Sequence, residues 1–382
     1  MKVLAISYGK NFYEPTNAER ARVAACAREA GELHAVIFSS EGDGFSDQSV
    51  NEHFFLYPTN SKHNFGKVVD AIAVGKKIIM SSSSSQEWVI TAQDPFESAL
   101  VAWRISKATG VPFNIQEHGD FFSTRHWASE PILNKLRGLF GKFILKRANS
   151  VRVVSERIKK TLIGLGVRTD KIDILSVRTD TTSFTNAKPN RALIPDYDAG
   201  KKYILTVARF VPQKNLSLLI KSFSKVQSRF PTAHLLMVGR GKEETELKQL
   251  ARKMLPADSY TFMSWSEDVP TLMATAHIYA LSSNYEGWGR VLIEAQAAGM
   301  PIVTTNVGCV GEAVLESGAC QVVPVASEPA FVDALVSTLE NWTTAKEQAI
   351  TIKQSTETKA ISNEAYAKEW TNTLKKTIAT RL

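Results

Sequence analysis

Short apolar runs punctuate this chain, and polar loops and helix-forming stretches separate them. The runs Lys2 to Ser7, His34 to Phe38, Val89 to Ala92, Val111 to Gln116 and Val151 to Val154 predict buried strands. Between them, Ala18 to Gly31 and Glu97 to Thr109 predict helices, the second stopped by Gly110. Residues 40–64 read as polar and irregular, and Ser81 to Ser85 as a low-complexity turn. The alternation resumes after residue 201. Strands are expected at Tyr203 to Val207, His234 to Val238, Tyr260 to Ser264, Ala276 to Leu281 and Pro301 to Thr304, with helices at Leu216 to Phe230 and Arg290 to Ala298 and another beginning at Glu312. From Ala330 to Leu382 the composition is helical, with Trp342, Tyr366 and Trp370 as packing anchors.

Strand, helix, strand at this spacing is a Rossmann-type α/β unit, which binds ligands at the carboxyl edge of its sheet. A length of 382 residues is too great for one ordinary domain and suits two. The expected division is a first domain over residues 1–186, a Pro-, Asp- and Asn-containing linker over 187–201, a second domain over 202–360, and a last helix over 361–382. With 44% hydrophobic and 22% charged residues the chain can build two cores and is not disordered. No apolar run approaches the roughly 18 residues of a membrane span, and the start of the chain reads as a strand instead of a secretory signal. Three scattered cysteines give neither a disulfide framework nor metal-ligand spacing, so a cytoplasmic location is expected. The net charge of +8 admits an anionic partner such as a diphosphate or an acidic lipid surface. Without a helix-turn-helix, zinc-finger or RNA-binding signature, nucleic acid is not expected.

The densest chemistry lies in Leu281-Ser-Ser-Asn-Tyr-Glu286-Gly-Trp-Gly-Arg-Val-Leu-Ile-Glu294. An apolar run ends at two serines, Gly287 and Gly289 flank Trp288, and a helix-forming run starts at Arg290. Glycines there let the backbone approach a ligand, and the first N–H groups of the helix point at it with the positive end of the dipole. Glu286 stays on the loop while Glu294 sits on the helix, so the two carboxylates address different parts of one ligand. Upstream, Arg209 at a strand end and Lys214 ahead of a helix converge on one anion.

These elements resemble the retaining nucleotide-sugar glycosyltransferases of the GT-B fold, glycosyltransferase family 4. The resemblance implies an α/β protein of two Rossmann-like domains facing each other across a cleft. It implies transfer of a sugar from a UDP- or GDP-sugar to a hydroxyl of a glycan or lipid-linked acceptor, with no metal and no cofactor beyond that co-substrate. By resemblance, Arg209 and Lys214 meet the diphosphate, Glu286 the sugar hydroxyls, Glu294 the ribose, and the backbone around Met263 and Ser264 the base. Gly239, Gly287, Trp288, Gly289 and Arg290 complete the donor site, with Gly9 carried over to the first loop. His118, in Glu117-His118-Gly119, matches the His-Gly element that contacts the transferred sugar. The family's Pro-Asn-Gly turn is replaced here by Ser176-Val-Arg-Thr-Asp180.

Two other readings stay open beside a transferase: a sugar-nucleotide epimerase of the same fold, and a non-catalytic glycan- or lipid-binding protein. A nicotinamide site is not expected, because Gly239-Arg-Gly241 lacks the third glycine of the dinucleotide fingerprint. Asp196-Tyr-Asp198 lies in the expected linker and reads as a turn, not a metal motif.

From Pro131 to Ser155 there is no acidic residue. On a helical projection Ile132, Leu133, Leu136, Leu139, Phe140, Phe143 and Ile144 share one face, with Lys135, Lys142 and Lys146 on its flank. Two placements fit this pattern: the apolar face packs on the first sheet, or it docks on an anionic membrane surface and makes the protein peripheral there.

Overall fold

The computed structural model describes residues 1–64, 66–82, 84, 86–123, 127, 133–266, 268–356 and 362–380, with only the backbone described at 133, 355 and 356. It divides into two compact units, Met1–Arg178 with Ile361–Leu382, and Thr179–Ala360.

In the first unit the strands are β1 (Lys2–Ser7), β2 (Glu32–Ile37), β3 (Gln48–Asn51), β4 (Phe54–Pro58), β5 (Trp88–Ala92), β6 (Phe113–Glu117), β7 (Ser150–Val153) and β8 (Ile172–Ile174). They form one sheet in the order β3-β4-β2-β1-β5-β6-β7-β8, parallel except where β3 meets β4. Parallel strands covered on both faces are apolar throughout, which is why β1 and β5 read so clearly in the sequence. The region expected to be irregular contains β3 and β4. Phe54 and Leu56 are buried while Phe55 and Tyr57 are half-buried, so the second of these strands carries an alternating pattern inside a polar stretch.

The helix Asn363–Ala379 belongs to this unit, and Tyr366, Ala367, Trp370 and Leu374 join one core with Val3, Ala5, Cys26 and Ala27. Arg152, on β7, is fully buried and donates to the Leu175 carbonyl at 2.8 Å, Gln116 Oε1 at 3.0 Å and the Tyr366 hydroxyl at 3.0 Å. A buried cation must find acceptors to replace water, and the last helix supplies one of them.

The second unit holds β9 (Lys202–Val207), β10 (Ala233–Val238), β11 (Tyr260–Met263), β12 (Ile278–Leu281), β13 (Ile302–Thr305) and β14 (Cys320–Val323). All are parallel, in the order β11-β10-β9-β12-β13-β14. From β9 the chain winds outward through β10 and β11, then crosses back to place β12 on the other side of β9. That reversal makes the carboxyl ends of β9 and β12 the topological switch point, the place in an open α/β sheet where two loops diverge and leave a crevice.

Several boundaries differ from the sequence reading. Residues 179–201 group with the second unit instead of forming a free linker: the Asn190 N–H donates to Thr275 Oγ1 at 2.9 Å, Ile194 is buried, and Tyr197 stacks on Tyr203 with ring centroids 5.1 Å apart. Asp198 Oδ1 accepts the Gly200 N–H at 2.8 Å, closing the expected turn. No helix begins at Glu312. The segment is a set of turns on Cys309, whose carbonyl accepts from the backbones of Glu312, Ala313 and Val314.

The basic stretch forms the helix Leu133–Leu145, and Pro131 and Ile132 lie outside the described residues. The expected apolar face is divided between the two placements: Ile144 is buried, with Asn134, Gly141 and Leu145, and Phe140 is half-buried, while Leu136, Leu139 and Phe143 are exposed. Gly141 explains the division. A Cβ there would stand 3.1 Å from both Phe96 and Phe122 and 3.2 Å from the Pro95 carbonyl, so the glycine side alone can approach that aromatic cluster closely. Among the described residues, no helix is long and apolar enough to cross a membrane.

Candidate active site

The two loops at the switch point of the second unit are bonded to each other. After β9 come Ala208 to Asn215, and after β12 come Ser282 to Gly289. The Asn284 N–H donates to the Gln213 carbonyl at 2.8 Å, and the Asn284 side-chain amide to the Pro212 carbonyl at 3.1 Å. Ser282 Oγ lies 2.9 Å from the Lys214 carbonyl, and the Asn215 amide donates to Asn284 Oδ1 at 3.0 Å. Bonded this way, the loops cannot drift apart without leaving buried polar groups unpaired.

On this frame Lys214 Nζ pairs with Glu286 Oε1. The same carboxylate accepts from Ser283 Oγ at 2.7 Å and, on its other oxygen, from Gln213 Nε2 at 3.5 Å. Arg209 is exposed just beyond β9 and has no ion pair among the described residues. One cation is thus neutralised by a carboxylate and a second is free, a combination suited to an anion beside a group rich in hydroxyls.

Gly289 caps the helix Arg290–Ala297 with φ of 77°, in the left-handed region where a side chain is strained. Trp288 is buried between Gly287 and Gly289, and its indole N–H has no acceptor among the described residues. Glu294 lies one turn into that helix, 3.7 Å from Arg290. Burial pushes its carboxyl above the usual carboxylate range, and Arg290 only partly offsets this.

Gly239, with φ of 145°, is needed for a protein contact: a Cβ there would sit 1.9 Å from the Ala208 carbonyl oxygen. Its N–H donates to the Met263 carbonyl at 3.0 Å, so Gly239, Met263 and the exposed Ser264 lie together at the carboxyl ends of β10 and β11.

The other two expected residues are in the first unit. Gly9 follows β1, and its N–H donates to Ser7 Oγ at 3.0 Å. His118 follows β6, and its Nε2 lies 3.1 Å from Gln93 Oε1 beyond the neighbouring strand β5. Burial, then the Arg152 and Arg22 cations, push its imidazole down to about 3. Beside it Glu117 and Asp120 are both buried. Burial and the facing Asp120 hold the Glu117 carboxyl well above its ordinary range, and burial raises Asp120 despite a bond to Ser123.

The sequence reading missed Gln213, Ser283, Asn284 and Asn215. Their signal was positional: small polar residues in both loops directly after an apolar run, where a parallel sheet brings neighbouring strand ends together.

Residues 194–357 match the sequence profile of the family described as Glycosyl transferases group 1. An uncharacterized glycosyltransferase of Haemophilus influenzae is 32% identical over 176 residues, 45% of this chain and 46% of the relative. A phosphatidyl-myo-inositol mannosyltransferase of Mycolicibacterium smegmatis is 30% identical over 166 residues, 42% of this chain and 41% of the relative. Each match therefore spans less than half of the relative's length. Among solved structures, Anabaena Alr3699/HepE in complex with UDP and glucose superposes with a TM-score of 0.73 at 18% identity, covering 98% of this chain and 99% of the other. With its two parallel-sheet units the chain has the GT-B fold, and residues 194–357 are similar to the glycosyl transferases group 1 family.

Proposed function

We propose that this protein is a retaining glycosyltransferase that moves a sugar from a nucleoside diphosphate sugar to an acceptor hydroxyl without a metal ion. The observation that carries this reading is the Lys214–Glu286 pair at the switch point of the second sheet, with Arg209 exposed on the same loop after β9. In the reaction the anomeric carbon leaves a diphosphate oxygen and bonds to the acceptor oxygen, and the hydroxyl proton is released. Negative charge grows on the leaving diphosphate. Arg209, Lys214 and the first N–H groups of the helix Arg290–Ala297 are the preorganised donors that would stabilise it, a role otherwise open to a metal cation. Glu286 takes the sugar hydroxyls, Glu294 the ribose hydroxyls, and the backbone at Met263 and Ser264 the base. Gly239, Gly287, Trp288 and Gly289 shape the donor site, while His118 contacts the reacting sugar and Gly9 the donor.

UDP is the first nucleotide to test, since HepE was solved with it. A lipid-linked or glycan hydroxyl is the acceptor class to test, and the name of the mannosyltransferase relative supports including lipid-linked ones. The experiment is thermal stabilisation by UDP, GDP and ADP, followed by turnover of the matching sugars with and without excess chelator. Stabilisation by one diphosphate and chelator-resistant transfer with kept anomeric configuration are expected. No stabilisation by any of the three would overturn the donor assignment, and activity lost to chelator and restored by magnesium or manganese would overturn metal independence.

A further inference from the structure

The helix Leu133–Leu145 presents its apolar stripe to solvent. Leu136 is 65% exposed, Leu139 68% and Phe143 42%, at positions i, i+3 and i+7, so they form one row along the helix. The row is about 10 Å long at 1.5 Å per residue. Lys135, Lys142, Lys146 and Arg147 are exposed around it. The Arg147 guanidinium lies 3.3 Å from the centre of the Phe143 ring. Trp103, half-buried on the helix Glu97–Thr109, meets the edge of the same ring at 5.8 Å, and that helix adds the exposed Arg104 and Lys107.

Exposed large apolar side chains are common singly, whereas a row of three flanked by exposed cations has the composition of a docking surface. The glycine side already fills the protein contact, so this stripe is not a core face waiting for its own sheet. The helix turns Gly141, Ile144 and Leu145 inward and leaves Leu136 and Leu139 out.

We infer that this face of the first unit docks on an anionic lipid bilayer, with Leu136, Leu139 and Phe143 entering the interface and the surrounding lysines meeting acidic headgroups. The chemistry selects that occupant. Leucine and phenylalanine in a row have no counterpart on a nucleic acid backbone, whereas a headgroup layer offers acyl chains below and negative charge at its surface. Lysine stems can lie along the apolar boundary while their ammonium groups stay in water. No acidic residue from Pro131 to Ser155 opposes the approach. The inference goes beyond the chemistry proposed above and does not depend on it, because a bilayer can be bound whatever reaction the second unit supports.

The test is sedimentation of the full chain with vesicles of phosphatidylcholine alone, or phosphatidylcholine with phosphatidylglycerol, at low and high salt. A Lys135→Gln/Lys142→Gln/Lys146→Gln variant and a Leu136→Ser/Leu139→Ser variant are compared; all five side chains are exposed, so both variants should fold, and circular dichroism checks this. Each lysine near an anionic leaflet is worth roughly fivefold in binding. The triple lysine variant should therefore bind phosphatidylglycerol vesicles on the order of a hundredfold more weakly. The serine variant should lose the part of the binding that survives high salt. Absence of binding to the anionic vesicles at low salt, or binding unchanged in both variants, overturns the inference. A dimer in analytical ultracentrifugation that the serine variant abolishes, without vesicle binding, would show instead that the stripe is a contact between copies.

Discussion

Lys214 and Glu286 are 72 residues apart in sequence and joined as an ion pair in which both side chains are largely buried, at 13% and 8% exposure. Parallel pairing of β9 with β12 brings them together, because the loops after two adjacent parallel strands leave the sheet side by side. The pair fixes where the lysine waits. On the proposed reading an incoming diphosphate would share Lys214 with Glu286, so the cation would be held in position before a ligand arrives and its charge only partly available until Glu286 turned to a sugar hydroxyl.

This arrangement predicts different losses for the two cations. Lys214→Ala and Arg209→Ala should each weaken UDP binding by one charge-assisted contact, roughly 1.5–3 kcal/mol, while leaving uridine binding nearly unchanged. Lys214→Ala should also lower thermal stability, since it strands a buried carboxylate, whereas Arg209→Ala should not. Calorimetric titration with UDP and uridine, beside thermal melts, measures both. Equal losses for nucleotide and nucleoside would mean that these residues support the fold and not the diphosphate.

The two glutamates should separate in the opposite sense. Glu286→Gln removes the partner that competes for Lys214, so UDP binding should hold or tighten while kcat falls. Glu294→Gln should weaken UDP binding if the ribose hydroxyls need that acceptor. If Glu286→Gln weakens UDP as much as Lys214→Ala does, the carboxylate's task is to hold the lysine and it makes no sugar contact of its own.

Much of this site was legible because its residues lie where continuous apolar runs stop. Arg209, Lys214, Glu286 and Glu294 follow strands that are buried on both faces and so have an unmistakable pattern. Other features depend on information that periodicity does not carry. The strands β3 and β4 sit at a sheet edge with one half-exposed face, and β4 ends at Pro58, so polar context masks them. The Ser283 and Gln213 contacts with Glu286 exist only once β9 and β12 are neighbours. In the helix Leu133–Leu145 the apolar stripe was visible but its direction was not, since Gly141 takes the inward face by offering close approach in place of apolar area.

Glu117 gives a pH prediction from its burial. Its carboxyl is held well above its ordinary range, so the folded chain binds that proton more tightly than the unfolded chain does. The stability it contributes is full below the unfolded value of about 4.3 and is lost as pH rises through the folded value. Glu117→Gln, which cannot ionise, should melt close to wild type at low pH and at higher temperature than wild type in alkaline buffer. A difference in melting temperature that does not change with pH would show that Glu117 is already neutral, or fully solvated, throughout that range.

The contact between Gln93 and His118 sets the tautomer of the histidine. Gln93 Oε1 can only accept, so the proton lies on Nε2 of His118, 3.1 Å away, and Nδ1 carries the lone pair. Desolvation and the cations Arg152 and Arg22 keep the ring neutral down to about pH 3. For a histidine depressed in this way, stability is full above the unfolded value of about 6.5 and is lost as pH falls from there toward the folded value. Nitrogen NMR of the imidazole should therefore show one protonated and one bare nitrogen, with no titration between pH 5 and 8. Gln93→Glu would place a carboxylate on the Nε2 proton and favour the imidazolium, raising the pKa. If turnover uses the bare Nδ1, the wild-type rate should show no acid limb in that range from this group, and Gln93→Glu should introduce one with the KM for donor little changed. Gln93→Asn, which keeps the amide on a shorter stem, should recover part of the rate without the acid limb. A Gln93→Glu profile that is lower but parallel to wild type would mean that Gln93 holds the loop after β5 in place and does not act through the protonation of His118.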